Sequence, residues 1–403
     1  MKAFLTVLFI AIFSHSNAQN IWEERGPVNG PPRAAAACFS LNGEVFMVGG
    51  IDVEEFKRKM YSYDLEQDDW DNEISLGGET GEGLARASSV GFSALGYGFV
   101  GLGAGSIPTL KDLWRYDPET ESWTQMADFI GQARNGAVAF SIDNITFVGT
   151  GSTEDGVSDD FYAYNALENS WSEIAPFPGG ARKEAVGFTM CGKGYVGTGR
   201  GEAIFYNDFW EYYPVEDTWT EKASLPGSPR LGAVGCGVFP RAYILLGEDN
   251  SSEYREDVWE YNYFGDIWTQ RADFLGGTRS QASAAVVDGR IFVGLGYNGI
   301  YHDDFYEYVP LPVDIAIVEH SNFRLYPNPA TETIMIELNS AILNPRIQCM
   351  DLTGRDISQQ FDIHVLTSNK LSLVVDQNIA PGTFILSVFD GEIKLNSTTI
   401  ILQ

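Results

Sequence analysis

The chain has 403 residues and a formal charge of −29 at pH 7, and it is rich in glycine (43 residues) and in aromatic residues (25 Phe, 19 Tyr and 9 Trp). This composition is typical of β-structure, and the length allows one large domain beside a smaller one. The acidic balance argues against nucleic-acid binding, which requires cations facing phosphates. It favours solubility and self-repulsion, and it leaves open a role in binding or steering cations.

The first eighteen residues have the features of a secretory signal peptide. Lys2 supplies a short basic region, residues 3–13 form an apolar core, and Ser16-Asn17-Ala18 resembles a small-residue cleavage site. The apolar run is shorter than a membrane span, and no later stretch predicts a membrane-spanning segment. We therefore expect a mature chain that begins near Gln19, outside the inner membrane.

The cysteines are scattered along the chain, at Cys38, Cys191, Cys236 and Cys349. The absence of C-x-x-C spacing argues against a dense disulfide framework and against a zinc ribbon. We expect each cysteine to behave as a small buried apolar residue.

Six repeats of about 48 residues occupy most of the chain. In each repeat an arginine is followed seventeen residues later by a glycine, and a tyrosine follows that glycine after twelve to fourteen residues. The arginines are Arg33, Arg86, Arg134, Arg182, Arg230 and Arg279, and the glycines are Gly50, Gly103, Gly151, Gly199, Gly247 and Gly296. A fixed period of this length indicates a repeat architecture.

Each repeat contains four short strand patterns. In the third repeat these are GAVAFSI, NITFVGTG, DFYAYNAL and SWSEIA, separated by polar turns. Four strands at this period predict one blade of a β-propeller, in which the repeated glycine allows a sharp turn or a close approach. We expect the repeated aromatic residues to pack between the blades.

The sixth repeat lacks the tryptophan strand that the other five repeats carry. The missing strand is found near the N-terminus, where Trp22 in NIWEERGP precedes Arg33 by eleven residues. The same interval separates most of the other tryptophans from the next arginine. We therefore expect the N-terminal strand to complete the last of six blades, which closes the ring and removes a sheet edge.

These spacings resemble the kelch repeat, whose marks are a glycine pair after the second strand and then a tyrosine and a tryptophan. The first repeat contains the pair in VFMVGG, four others read VGLG or VGTG, and the fifth reads ILLGED. The resemblance covers Trp22 to Pro310. It implies a propeller with a central channel and with ligand-binding loops on one face.

The residues after Pro310 fit none of the repeats. The segments TIMIEL, RIQCMDL, KLSLVV and TFILSVF alternate in polarity and predict a small, Ig-like β-sandwich. LYPNPATETIMIEL, DLTGR and APGTFILSV resemble the type A sorting domain of the type IX secretion system of Bacteroidota. This resemblance implies recognition by the secretion machinery and export across the outer membrane, followed by release or surface attachment.

These observations predict an all-β chain made of four parts. They are a signal peptide (1–18), a six-bladed kelch-type propeller (19–310), a linker (311–320) and a C-terminal sorting domain (321–403). The expected location is therefore the outer cell surface or the medium.

No sequence motif predicts catalysis or a cofactor. The four histidines are His15, His302, His320 and His364, so the propeller contains a single one and cannot form a multi-histidine metal site. No nucleophile elbow, P-loop or dinucleotide fingerprint is present. We expect no catalytic residues, no metal and no cofactor.

The repeated arginines allow two interpretations. Kelch-type sialic-acid epimerases are the enzyme alternative, and such chemistry needs arginine for a sugar carboxylate. However, five repeats place an aspartate where the third strand begins: Asp112, Asp160, Asp208, Asp257 and Asp304. This regular placement favours structural Arg–Asp pairs.

A ligand site is expected where the repeats differ, in the loops between second and third strands and just after each arginine. The candidate contacts are Lys57, Arg58, Lys59, Asn135, Lys183, Arg200 and His302. The first three form either an anchor for a carboxylate or sulfate, or a solvated loop that balances Glu54 and Glu55. The predicted function is binding of a glycan or protein at the cell surface. An epimerase or lyase and a structural role in a surface layer are the alternatives.

Overall fold

The computed structural model describes residues 21–78, 83–106 and 109–310 and parts of the C-terminal region. The latter are 323–326, 333–338, 345–351, 355–367, 369–375, 379, 382–390 and 393–402. The predicted signal peptide (1–18) and linker (311–320) lie outside these residues. The regular elements described are strands and one 3-10 helix, Ser358–Gln360, so the all-β prediction is confirmed. None of the described residues belongs to a helix long and apolar enough to cross a membrane.

The described part of residues 21–310 forms six four-stranded antiparallel sheets, which we number by repeat. Their strands are Ala37–Leu41, Glu44–Val48, Met60–Asp64 and Asp69–Glu73 in sheet 1; Val90–Ala94, Tyr97–Gly101, Leu113–Asp117 and Ser122–Gln125 in sheet 2; Val138–Ile142, Ile145–Gly149, Phe161–Asn165 and Ser170–Ile174 in sheet 3; Val186–Met190, Lys193–Gly197, Phe209–Tyr213 and Thr218–Lys222 in sheet 4; Val234–Val238, Arg241–Leu245, Val258–Asn262 and Ile267–Arg271 in sheet 5; and Ser283–Val287, Arg290–Gly294, Phe305–Val309 and Ile21–Arg25 in sheet 6. Two-residue strands add two small ladders, Ser152–Thr153 with Gly156–Val157 and Arg230–Leu231 with Glu248–Asp249.

The burial of the strands explains their residue patterns. The second strand of each sheet is buried at all but its first residue, and its sequence is correspondingly apolar or glycine-rich, as in Glu44–Val48 and Ile145–Gly149. A strand enclosed on both faces needs a nearly continuous apolar run. The first strands instead alternate between buried and partly exposed residues, as in Val186–Met190, because one face packs inside the structure and the other lies along an open space.

The first strands of the six sheets contact one another in a closed order. Each first strand touches that of the next sheet, and the first strand of sheet 6 touches that of sheet 1. A cavity of about 180 Å³ on the axis of this ring is lined by residues of all six first strands. We call this space the channel. The arrangement is consistent with a propeller.

The N-terminal strand completes sheet 6, as predicted. Ile21–Arg25 runs antiparallel to Phe305–Val309, with Trp22 opposite Tyr308. Trp22 is 6% exposed and meets the ring of Phe274 edge to face, with 4.8 Å between ring centroids. The strand thus covers what would otherwise be an open edge.

Replacing Trp22 by alanine is expected to lower the free energy of unfolding by about 3–5 kcal/mol, the usual cost of removing a large buried aromatic side chain. The indole N–H of Trp22 has no hydrogen-bond acceptor among the described residues, so the loss is one of packing. Denaturant unfolding measures it, with Glu24→Ala as the control because Glu24 is exposed on the same strand. Equal midpoints for the Trp22 variant and the parent would show that this strand does not stabilise the ring.

The C-terminal residues form two antiparallel sheets around a core of their own. One sheet contains Phe323–Tyr326, Thr333–Leu338, Lys370–Val375 and Phe361–Thr367 in spatial order, and the other contains Pro345–Asp351, Gly382–Asp390 and Ile393–Leu402. Alternate residues of each sheet meet in this core, among them Ile334, Leu371, Cys349 and Leu386. The alternation seen in TIMIEL is therefore the signature of a strand with one buried face.

Candidate functional site

Five of the repeated arginines are fully buried, and each pairs with the aspartate that directly precedes the third strand of its sheet. The pairs are Arg86–Asp112, Arg134–Asp160, Arg182–Asp208, Arg230–Asp257 and Arg279–Asp304. At Arg86 the two guanidinium nitrogens donate to the two carboxylate oxygens over 2.8 and 2.7 Å. The prediction of structural Arg–Asp pairs is confirmed. Because these arginines are fully buried, a ligand cannot reach them.

Sheet 1 departs from this pattern because Lys59 takes the place of the aspartate. Arg33 is 2% exposed and donates to the carbonyl oxygens of Pro31 and Gly49 and to the hydroxyl of Tyr61. Among the described residues no carboxylate lies within ion-pair distance of it. The phenol of Tyr61 therefore supplies the hydrogen bond that an aspartate supplies in the other sheets.

The repeated glycines join neighbouring sheets. Their φ angles lie between 90° and 108°, and a Cβ atom at any of them would come within 2.8–3.0 Å of the carbonyl oxygen of the residue after the arginine. The N–H of each glycine donates to the carbonyl oxygen of the next sheet's arginine over 2.7–2.9 Å, and Gly296 closes the series on Arg33. Glycine is required here by both conformation and space.

The second residue after each arginine belongs to a closed ring at one end of the channel. These residues are Ala35, Ser88, Gly136, Glu184, Gly232 and Gln281, and we call them the mouth ring. All six have φ angles of 50–62°. The N–H of each donates to the carbonyl oxygen of its counterpart in the preceding sheet over 2.7–3.0 Å, and Ala35 closes the ring on Gln281.

The first residue after each arginine pairs with the residue after each repeated glycine. These rim pairs are Ala34–Ile51, Ala87–Ala104, Asn135–Ser152, Lys183–Arg200, Leu231–Glu248 and Ser280–Tyr297. They surround the mouth ring, since each lies one residue away from it along the chain. The rim pairs of sheets 1–3 carry no charged or aromatic side chain. Such side chains are confined to the rim pairs of sheets 4–6.

The rim pair of sheet 4 brings two cations together. Lys183 and Arg200 exchange two backbone hydrogen bonds of 2.9 Å, so their side chains leave the bridge on the same side, with Cβ atoms roughly 5 Å apart. Neither makes an ion pair with any carboxylate of the described residues. The guanidinium of Arg200 instead lies 5.2 Å from the ring centre of Phe205.

Glu184 is the only acidic residue of the mouth ring. Its carboxylate accepts a hydrogen bond of 3.2 Å from the amide of Gln281, across Gly232, which has no side chain to separate them. Both line a cavity of about 110 Å³ whose other walls are small residues. Burial raises the pKa of Glu184, while Lys183, the Gln281 amide and Arg200 act in the opposite direction.

Partly exposed aromatic side chains lie around the same end of the channel in sheets 4–6. Tyr254 meets Tyr297 edge to face with 6.2 Å between ring centroids, and Tyr297 lies 4.8 Å from Tyr301. Tyr297 is itself part of a rim pair, and Tyr254 bridges to Glu248 of another. Cations, a carboxyl group and tyrosines therefore share one side of the mouth.

Three of the predicted contacts, Asn135, Lys183 and Arg200, lie in rim pairs at the mouth. His302 lies beside it, where its backbone carbonyl accepts the N–H of Arg33 and its ring contacts Asn298 over 3.0 Å. Burial and the charge of Arg279 lower the pKa of His302.

The cations of sheet 1, Lys57, Arg58 and Lys59, belong neither to the mouth ring nor to a rim pair. Lys57 pairs with Asp52 over 2.8 Å, and Arg58 and Lys59 donate to backbone carbonyl groups of neighbouring segments. Sheet 5 contains a matching ion pair between Arg255 and Asp249. These contacts give the cluster a role in holding its loop, and ligand contact by it stays a prediction.

Four residues of the mouth, Glu184, Gln281, Tyr254 and Tyr297, were not among the contacts named from the sequence. Tyr254 and Tyr297 do lie in loops between second and third strands, where a ligand site was expected. Comparison of the six residues that stand two places after the arginines singles out Glu184 as the one acid among them. The spacing alone does not reveal that this position faces the axis. The described residues contain no group of three or more His, Cys, Asp or Glu side chains placed to hold a metal ion.

The described structure defines an all-β repeat protein whose sheets are arranged in a manner consistent with a propeller. Comparison with protein families adds a second feature: residues 324–402 match the model described as the secretion system C-terminal sorting domain. No curated protein matches the chain. The sorting domain indicates secretion by the type IX system to the cell surface or extracellular space, and it implies contact with the secretion machinery.

Proposed function

We propose that the chain is a secreted six-bladed kelch-type propeller that binds an anionic group of a glycan or protein at its channel mouth. In this proposal the propeller spans 19–310 after a signal peptide at 1–18, and a linker at 311–320 joins it to an Ig-like sorting domain at 321–403. The closed contact order of the first strands and the repeated Arg–Gly spacing support the propeller.

The observation that carries the binding proposal is the Lys183–Arg200 rim pair. Like charges directly opposite each other in a β-ladder are destabilising. The chain has 55 acidic and 26 basic residues, yet neither of these cations has a carboxylate partner in the described structure. A ligand carboxylate or sulfate would accept charge-assisted hydrogen bonds from both and remove the repulsion.

Binding rather than catalysis is the activity that we propose. Epimerisation needs an acid and a base on either side of the reacting carbon, and Glu184, with one oxygen bonded to the Gln281 amide, is the single titratable side chain of the mouth ring. The raised pKa of Glu184 is the one observation in favour of the enzyme alternative, a carbohydrate epimerase.

Changing Lys183 and Arg200 together to serine is expected to weaken binding of an anionic ligand at least tenfold, because each charge-assisted hydrogen bond contributes roughly 1.5–3 kcal/mol. The mature full chain would be screened against carboxylated, sulfated and neutral glycans and acidic peptides, and the affinity of each ligand found would be measured for both proteins.

The matched control is the triple variant Lys57→Ser, Arg58→Ser and Lys59→Ser, which also removes neighbouring cations but leaves the mouth unchanged. It should retain affinity within about twofold, because these residues belong neither to the mouth ring nor to a rim pair. Its thermal midpoint would report any loosening of the loop that they hold. Loss of binding in the triple variant with full binding in the double variant would move the site to sheet 1. Turnover of a sialic acid by the parent protein would establish the enzyme alternative.

A further inference from the structure

The cavity at the mouth ring limits what can enter it. Its volume of about 110 Å³ is smaller than the roughly 150 Å³ cavity that accommodates benzene. It therefore has room for a small substituent, such as a hydroxymethyl group, but not for a sugar ring or a folded peptide turn. The body of a larger ligand would therefore extend beyond this cavity onto the rim.

Aromatic side chains on the rim can contact the body of the ligand. Tyr254 and Tyr297 are partly exposed, and they contact each other between sheets 5 and 6. A pyranose has a flat face of C–H groups that packs on an aromatic ring, and its hydroxyl groups can pair with phenol oxygens. An acidic peptide has no comparable flat apolar face.

The side chains of the mouth ring favour a ligand group that donates hydrogen bonds over one that accepts them. One carboxylate oxygen of Glu184 accepts the Gln281 amide, which leaves its second oxygen and the Gln281 carbonyl oxygen as acceptors beside the cavity. A sugar hydroxyl can donate to either. A ligand carboxylate placed beside this cavity would meet both Glu184 and the nearby Glu248, so repulsion between like charges favours a neutral hydroxyl group there.

We infer that the ligand is an anionic glycan, recognised through a carboxylated or sulfated pyranose. Lys183 and Arg200 bind the anionic group, Tyr297 with Tyr254 packs against the ring, and Glu184 with Gln281 accepts hydrogen bonds from a hydroxyl-bearing substituent. This inference rests on the proposed anion site and adds the polymer class and the roles of the tyrosines and Glu184.

The test is calorimetric titration of the mature full chain with four probes: a uronic-acid tetrasaccharide, the same tetrasaccharide with its carboxyl groups reduced, a sulfated tetrasaccharide and an acidic peptide of matched charge. We expect one of the two anionic tetrasaccharides to bind, and the one that binds identifies the anion. The reduced tetrasaccharide and the peptide should bind at least tenfold more weakly, a difference of about 1.4 kcal/mol or more.

Two substitutions test the proposed contacts with the sugar independently of the contacts with its anionic group. Tyr297→Leu and Glu184→Ala should each weaken binding of the anionic tetrasaccharide roughly tenfold, since each removes one central contact. Alanine is accommodated at this place in the ring, because Ala35 occupies the equivalent position. Tyr213→Leu is the control because Tyr213 is an exposed tyrosine at the end of the strand Phe209–Tyr213 and belongs to no rim pair. The thermal midpoint of each variant would establish that it is folded.

Tighter binding of the peptide than of both anionic tetrasaccharides would overturn the glycan inference and leave the anion site intact. Full affinity of the anionic tetrasaccharide in both the Tyr297 and the Glu184 variants would also overturn it. Failure of every anionic probe to bind the parent chain would overturn the proposed function as well.

Discussion

Removal of residues 323–403 is expected to abolish secretion and to leave the truncated protein in the periplasm. The match to a sorting domain lies at 324–402, so the deletion removes the segment that the secretion machinery recognises. The deletion should not unfold the remainder, because the C-terminal core consists of residues from that region alone and the other core clusters lie within residues 22–308. Fractionation of cells and medium, with an antibody against the repeats, measures the outcome.

The control for this experiment is the reverse construction. Joining 323–403 to an unrelated periplasmic protein should bring that protein to the surface or into the medium. Circular dichroism of the truncated chain should retain its β-sheet signal, which separates a sorting defect from misfolding. Secretion of the truncated chain at the normal level would refute the sorting role of these residues.

Replacing Asp112 by alanine is expected to lower the free energy of unfolding by about 3–5 kcal/mol, the usual cost of breaking a buried ion pair by removing one partner. The substitution leaves the guanidinium of Arg86 fully buried without its carboxylate, and it also removes the acceptor of the Trp114 indole N–H. Denaturant unfolding at pH 7 provides the measurement.

Asp117→Ala is the matched control, because Asp117 ends the strand that Asp112 directly precedes and, among the described residues, accepts only a local N–H from Glu119. It should change the free energy of unfolding by less than about 1 kcal/mol. If the two alanine variants were equally stable, the Arg–Asp pairs would not be a main source of stability.

The same pairs predict how stability depends on pH. In Asp112, Asp160 and Asp257 burial by itself would raise the pKa, but the hydrogen bonds and charge of the paired arginine outweigh burial, and the pKa is lowered. Their contribution is therefore fully present above the unfolded-state pKa of about 3.9, and it is lost as the pH falls through the lower folded-state values. Asp112→Ala should lose part of this acid dependence.

The regular part of the fold was readable from sequence because it depends on local patterns repeated six times. Trp22 could be assigned to the last sheet because its distance from Arg33 matches the other repeats, and the Arg–Asp pairs because both partners recur in register. These features need only chain spacing and the alternation of buried residues along strands.

The mouth could not be predicted in the same way. Four of its six ring residues, Ala35, Ser88, Glu184 and Gln281, are not glycine, although the ring holds all of them in the left-handed region that glycine favours. That conformation is imposed by contacts between sheets distant in sequence. The ion pair of Lys57 with Asp52 was likewise hidden, because it depends on how a loop folds back on itself.

The mouth ring is closed by main-chain hydrogen bonds alone, so its residues can be substituted without loss of those bonds. Holding non-glycine residues at positive φ costs roughly 1–2 kcal/mol for each, so the geometry is set by the joined sheets and not by residue preference. The side chains at these positions are therefore not needed to form the ring, and alanine, serine, glycine, glutamate and glutamine all occupy equivalent positions in it. Evolution can therefore replace the side chains on the channel axis one position at a time, while the main-chain ring that carries them keeps the same dimensions.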